Sequence, residues 1–258
     1  MQTSGGMPTG HVMFMENIGG SPRSADANAQ AVQFGKPDIA HGGRLSPPPL
    51  SQAENRKGHA AGAPLLSETH AWHPTRPRVL TKGWACRQTI LANGRRQIFG
   101  FLIPGDIVGA PPQSLTVAPF DVVAITAGTT ADAPYGEPGA DSQFSSSAHV
   151  ERAEVEIYNL LHRQIVRLGH LNGVERLADL LLEFRQRLPR AGAGIEESFM
   201  MPLTQEVLAD ALGMSMVHVN RSMQQLRLRN IIKCSRGRVV VLDSHRLAHL
   251  AKGMAKPT

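Results

Sequence analysis

Arg221, Asn220 and Gln224 carry donors and acceptors that match the edges of base pairs, and their spacing puts them on one face of a helix. An arginine fork can pair with guanine O6 and N7, a contact worth about 1–3 kcal/mol of discrimination, while the two amides suit adenine or water-mediated contacts. Met216 and Val217, one turn earlier, offer only apolar surface, as a thymine methyl would meet. Thr204, Gln205, Ser215 and His218 suit phosphate oxygens, and Arg236 and Arg238 can serve the same purpose from further along the chain. Arg221 has a competing use, an ion pair with Glu206 or Asp210, and Gln225 also points outward on this pattern.

The elements that must hold these side chains are legible around them. Thr204 is placed to cap a short helix that buries Val207, Leu208 and Ala211. Gly213 permits a left-handed turn, and Ser215 caps the next helix, whose Val219, Met223 and Leu226 face inward. Ile231-Ile232-Lys233, Ser235-Arg236-Gly237 and Arg238 to Leu242 read as strand, tight turn and strand, a wing, before a short helix from Ser244 to Lys252. Ser215 to Thr258 hold nine Lys/Arg and one Asp, within a chain of 258 residues whose net charge is +6. Cationic surface beside a helix-turn-helix pattern points to a polyanion, most simply double-stranded DNA, with Lys252 and Lys256 as bystanders.

Upstream, the period is helical from Ala148. Val150, Ala153, Ile157, Leu161, Ile165 and Leu168 share one face, and Glu151, Arg152, Glu154, Arg163 and Arg167 take the rest. Such a face packs either as core or as a dimer seam, and a long helix between two domains favours self-association. Gly169 ends or bends this helix, and a second one carries Val174, Leu177, Ala178, Leu181, Leu182 and Leu188 up to Pro189. Residues 189–202 read as a flexible Gly/Pro loop. Further upstream, Trp84 to Leu91 and Gln97 to Ile103 flank Ala92-Asn93-Gly94-Arg95, and its Asn-Gly is a hairpin signal because both residues tolerate positive φ. Pro104-Gly105-Asp106 turns into Ile107-Val108-Gly109, and Phe120 to Ile125 supplies another strand, followed by a loop over 128–147. Residues 1–76 are rich in Gly, Pro, Ser, Ala and His without sustained period and read as largely disordered, with Met7, Met13 and Met15 as alternative starts.

Several function classes find no support. Cys86 and Cys234 lack any Cys-x-x-Cys spacing and read as reduced thiols of a cytoplasmic protein. No apolar window is long enough to span a membrane. His59, His70 and His73 sit among Gly, Ala and Pro, so no metal site is expected, and Arg95 and Arg96 read as exposed charges beside a turn. No paired carboxylates, activated nucleophile or phosphate loop appears, so neither catalytic residues nor a cofactor is expected.

In this order, Gly83-Trp84-Ala85-Cys86-Arg87, Asn93 to Ile98, Phe101 to Gly109 and Val217 to Arg221 with Leu226-Arg227 resemble the Crp/Fnr-type bacterial transcription regulators over about residues 79–127 and 149–252. The resemblance implies an α+β fold with an N-terminal, cyclic-nucleotide-binding-like β-roll, a long dimerisation helix and a C-terminal winged helix-turn-helix. With the composition of the first residues, the expected division is a largely disordered segment over 1–76, a partial β-roll over 77–147, a dimerisation helix over 148–170 and a winged helix-turn-helix DNA-binding domain over 171–258. The resemblance also implies a cytoplasmic homodimer on a near-palindromic operator, Arg221 as a base reader, and RNA polymerase as a further partner. Met216 and Val217 stand where some members have polar or charged readers. The phosphate-binding segment of the cyclic-nucleotide members is not matched: Gly136-Glu137 has no Arg until Arg152, and the effector is unknown. The alternative reading is a degenerate member that keeps fold and dimerisation but acts as a protein-interaction module without a defined operator.

Overall fold

The computed structural model describes residues 54–66, 78–108, 120–132, 146–189, 191–195 and 197–251, with side chains in the helix that begins at 146 described from Val155 onward. Eight strands come first: β1 (Lys57–His59), β2 (Pro64–Leu66), β3 (Arg78–Lys82), β4 (Ala85–Ile90), β5 (Arg96–Leu102), β6 (Ile107–Val108), β7 (Asp121–Ala124) and β8 (Gly128–Asp132). They form two antiparallel four-stranded sheets, ordered β1-β8-β3-β6 and β2-β7-β4-β5. Strand β4 shows why the sheets close on one another. Ala85 joins Leu80, Leu102, Val108 and Val122 in the interior of this roll, whereas Cys86, next in the chain, joins the larger core outside it.

Two helices follow, α1 (Ser146–His170) and α2 (Gly173–Arg187). Asn172 caps α2 through a reciprocal capping box with Glu175, which is why the chain restarts helically only three residues after α1 ends. The C-terminal region then runs β9 (Gly194–Ile195), β10 (Ser198–Met200), α3 (Gln205–Leu212), α4 (Met216–Leu228), β11 (Ile232–Ser235), β12 (Arg238–Val241) and α5 (Ser244–Leu250). Its sheet is ordered β11-β12-β10-β9. One continuous core joins Trp84, Ile98, Phe101 and Ile103 of the roll to Leu177, Leu181 and Phe184 of α2 and to Phe199, Leu208, Val219 and Val239 beyond.

The structure corrects the sequence reading at five places. Two strands, β1 and β2, lie inside the stretch 1–76 read as disordered, and they pair with β8 and β7 respectively. Much of that stretch lies outside the described residues, as do His70, His73 and Gly136-Glu137. Strand β8 occupies the start of the supposed loop 128–147, so the roll has two full sheets among the described residues. Strands β9 and β10 replace the supposed loop 189–202, with Phe199 paired to Val239 of the wing. At the expected β4–β5 hairpin only Gly94 is left-handed (φ 77°), and Asn93 does not use the positive φ it tolerates; Gly94 N–H donates to Leu91 O, closing a three-residue loop.

The fifth correction concerns the face of α1. Arg163 and Arg167, assigned to a solvated side, are turned inward: Arg163 donates to Asp179 at 2.8 Å, and Arg167 bridges Asp179 and Glu183 at 2.7 Å each. Carboxylates on α2 outweigh the apolar pattern because they provide partners for guanidiniums that would otherwise be buried unpaired. Ile165 is correspondingly 69% exposed, alongside Val155 (59%) and Tyr158 (57%). Ile157, Leu161 and Leu168 are half-buried, and Val150 and Ala153 lie in α1 outside the described side chains.

Candidate nucleic-acid interface

Helix α3 begins where Thr204 Oγ1 accepts the Val207 N–H at 3.2 Å, and it ends at Gly213, whose φ of 61° is left-handed. A side chain at Gly213 would be strained by that φ and would also approach Leu168 Cδ2 at 3.2 Å. The turn is therefore fixed by both backbone and packing. Ser215 restarts the helix, with its Oγ accepting from His218 N–H at 3.3 Å and sharing a 3.0 Å bond with His218 Nδ1.

Helix α4 buries Val219, Ser222 and Leu226, with Met223 partly covered. Directly opposite, Met216, Val217, His218, Asn220, Arg221 and Gln224 are exposed, and Gln225 is half-buried. All the outward positions expected from the sequence except Gln225 are thus exposed on α4. Asn220 is not free, however: its amide and that of Gln205 exchange two hydrogen bonds at 2.5 and 2.7 Å, clasping α3 to α4. Asp210 is committed elsewhere, since it accepts from Arg96 Nε at 2.7 Å while its backbone oxygen accepts from Gln97. Arg96 is therefore a link between the β4–β5 hairpin and α3, not a plain surface charge. Arg221 has no ion pair among the described residues; it and His218 border an open cleft of about 340 Å³ reaching Asn172 at the start of α2.

The wing is a tight hairpin. Arg236 and Gly237 at its tip are both left-handed, with φ of 48° and 76°, and Arg236 is exposed. Arg238 opens β12 and donates to Ser198 Oγ at 3.2 Å. Cys234, on β11, donates to Met223 Sδ, and burial pushes its thiol above the ordinary range. Cys86 is pushed up to about 11 by burial, partly countered by Arg96. Both thiols are thus protonated and poorly nucleophilic. His59 lies in β1, where its ring bonds Thr130 Oγ1 at 2.7 Å.

Arg176 has a positioning role that its sequence context does not announce. Its guanidinium donates to the backbone oxygens of Leu168, Leu171 and Leu212 at 2.9, 2.7 and 2.9 Å, holding the end of α1, the following turn and the end of α3 together. Cations suit these carbonyl ends of helices. In the sequence it is one more arginine on an amphipathic helix, because its partners are distant along the chain.

Comparison with known proteins agrees with this geometry. The Crp-like helix-turn-helix domain matches residues 175–250. The transcriptional activator protein FnrL of Cereibacter sphaeroides is 30% identical over 175 residues, covering 64% of this chain and 68% of that protein. The chain belongs to the Crp/Fnr family. The nitrogen fixation regulation protein FixK of Bradyrhizobium diazoefficiens is 28% identical over 163 residues, covering 63% of this chain and 68% of its own length. The structure of FixK2 from Bradyrhizobium japonicum shares the fold, with a TM-score of 0.66 at 20% identity over 78% of this chain and 98% of that one. Like its Crp/Fnr relatives, the chain is a DNA-binding transcription regulator with a helix-turn-helix and an α+β fold. No described helix is long and apolar enough to cross a membrane.

Proposed function

We propose that this Crp/Fnr protein is a homodimeric, sequence-specific regulator whose paired α4 helices read two half-sites of a near-palindrome about one helical turn apart. The observation that carries this reading is the exposed side of α4, where Arg221 stands unpaired among the described residues next to a capped helix start. Arg221 takes a guanine edge, Gln224 and Asn220 contribute polar contacts, and Thr204, Gln205, Ser215 and His218 face phosphates. Arg236 and Arg238 add phosphate contacts from the wing. For Asn220 and Gln205 these roles require the amide clasp to open or to contact DNA through its outer edge. RNA polymerase as a further partner rests on the family alone.

Duplex affinity of the full chain is expected to fall with salt, with a log–log slope of about −0.9 per phosphate neutralised. Arg221→Ala should relax base preference at one position of each half-site, costing about 1–3 kcal/mol there and sparing non-specific binding. A salt-independent affinity would remove DNA binding as the function; uniform weakening on all sequences would make Arg221 a phosphate contact.

The exposed side of α1 supports a dimer seam. Val155, Tyr158 and Ile165, with His162 between, recur at three- and four-residue spacing on its exposed side. Exposed apolar residues at that spacing favour a helix partner, and a second copy of α1 presents the same stripe. Ile165→Glu is therefore expected to shift the chain from dimer to monomer in sedimentation equilibrium while its circular dichroism stays unchanged. A monomeric parent protein, or a variant that remains dimeric, would rule this seam out. The protein-interaction alternative draws on the exposed Met216 and Val217. It predicts that no duplex is enriched from a random pool.

A further inference from the structure

Helix α5 carries two histidines, His245 and His249, four residues apart. Leu247, midway between them, is fully buried in the common core, and Ala251 is buried one turn later, which fixes the rotation of the helix. At 3.6 residues per turn, the positions two before and two after Leu247 fall together on the opposite side, and both histidines are exposed there. Asp243 secures the start of the helix, its Oδ1 accepting the Arg246 N–H at 2.8 Å. Arg246, the cation nearest in sequence, is drawn toward the end of α4: its Nη1 donates to Arg229 O at 3.4 Å, and its Nε lies 4.0 Å from Asp243. Ala248, exposed beside the two rings, adds only a methyl group.

Residues at i and i+4 of a helix have Cβ atoms about 5–6 Å apart, so one nitrogen from each imidazole can reach a single ion at about 2.0–2.1 Å. Two histidines at this spacing on one helix face are a metal-binding arrangement in their own right. We propose that His245 and His249 form a chelating site for a divalent transition metal of the copper, nickel and zinc class. Neutral imidazole suits these ions, whereas magnesium and calcium take oxygen ligands. Among the described residues no group of three His, Cys, Asp or Glu comes together, so the protein supplies two donors and water completes the coordination. The site is therefore open and exchangeable, unlike a closed structural zinc site with four protein ligands. Copper binds it more tightly than nickel or zinc. A helix of seven residues is marginal by itself, so an ion bridging its successive turns stabilises the folded C-terminal region by mass action.

The proposal is independent of the DNA-binding reading, and no duplex enters its test. The full chain without an affinity tag is dialysed against Cu2+, Zn2+ or Mg2+, and the metal bound per chain is compared with that of His245→Ala, His249→Ala and the double variant. The chain has eleven histidines, so the difference between proteins, rather than the total bound, isolates this site. The parent should bind one equivalent of Cu2+ more than either single variant, and the double variant should lose no more than each single one. His170→Ala, at an exposed histidine in the last turn of α1, should match the parent. Zn2+ should show the same pattern at higher concentration, and Mg2+ should show no difference. Added Zn2+ should raise the urea midpoint of the parent and leave that of His245→Ala where it was. Both substitutions lie opposite the buried side of α5, and unchanged circular dichroism in the absence of metal verifies that the fold is kept. Equal metal content in parent and variants overturns the proposal, as does a loss confined to one of the two histidines, which would mark a single-ligand contact instead of a chelate.

Discussion

Phe184→Ala is expected to lower the unfolding free energy by about 3–5 kcal/mol, read as a reduced midpoint in urea followed by circular dichroism. The ring is fully buried in α2 and meets three others edge-on: Trp84 at 5.0 Å and Phe101 at 5.5 Å from the roll, and Phe199 at 6.5 Å from β10. Its removal leaves a cavity bordered by the roll on one side and the winged region on the other, and neither can collapse without separating from α2. Edge-to-face pairs add to the loss from burial alone. Phe184→Leu keeps most of the volume and should cost about 1.5 kcal/mol or less. Because one ring serves both regions, the parent chain should lose them together, and the alanine variant should broaden or split that transition. An unchanged midpoint would mean that the common core does not couple the two halves.

What the sequence made legible follows the range of the interactions. The α3–turn–α4 unit was readable because its caps, Gly213 and the inward Val219 and Leu226 act within a few residues of one another. The β4–β5 hairpin was readable for the same reason. Strands β1 and β8 were not, since Lys57 pairs with Thr130 and His59 with Gly128, across most of the roll, and the Lys, Gly, Ala and Asp of these short segments have weak strand preference. Strand β10 escaped likewise, because Phe199 acquires its meaning only from Val239. On the reading face, residue types and exposure were recoverable, but the clasp between Gln205 and Asn220 needed the angle between two helices. The inward turn of Arg167 was hidden because a buried charge and a solvated one look alike until the partner helix is in place.

That buried charge chain gives the other large effect. Arg163 and Arg167 of α1 meet Asp179, Arg167 also meets Glu183, and Arg187 joins Glu183 to Asp106 in the turn after β5. Burial pushes the Glu183 carboxyl up, but Arg167 and Arg187 outweigh it and hold it below the ordinary glutamate range. For Arg187, burial pulls down while Asp106 and Glu183 raise it above its ordinary value. Glu183→Gln keeps the shape and removes the charge between two guanidiniums, so it should destabilise by about 3–5 kcal/mol at neutral pH. The size reflects cations left buried without their counter-ion rather than the net worth of the intact ion pairs. The sign with pH follows from the same shift. A carboxyl whose folded value is depressed contributes fully above its unfolded value and loses that contribution as pH falls through the folded one, so the parent chain should weaken below about pH 4.5. The glutamine variant has no such group to protonate, so the gap between the two proteins should narrow as acid is added. A constant gap from neutral pH to pH 3 would show that the loss does not come from the ionised carboxylate. Since these ion pairs run from α1 through α2 to the turn after β5, a narrowing gap would also mark them as a polar link between helices and roll beside the Phe184 contact.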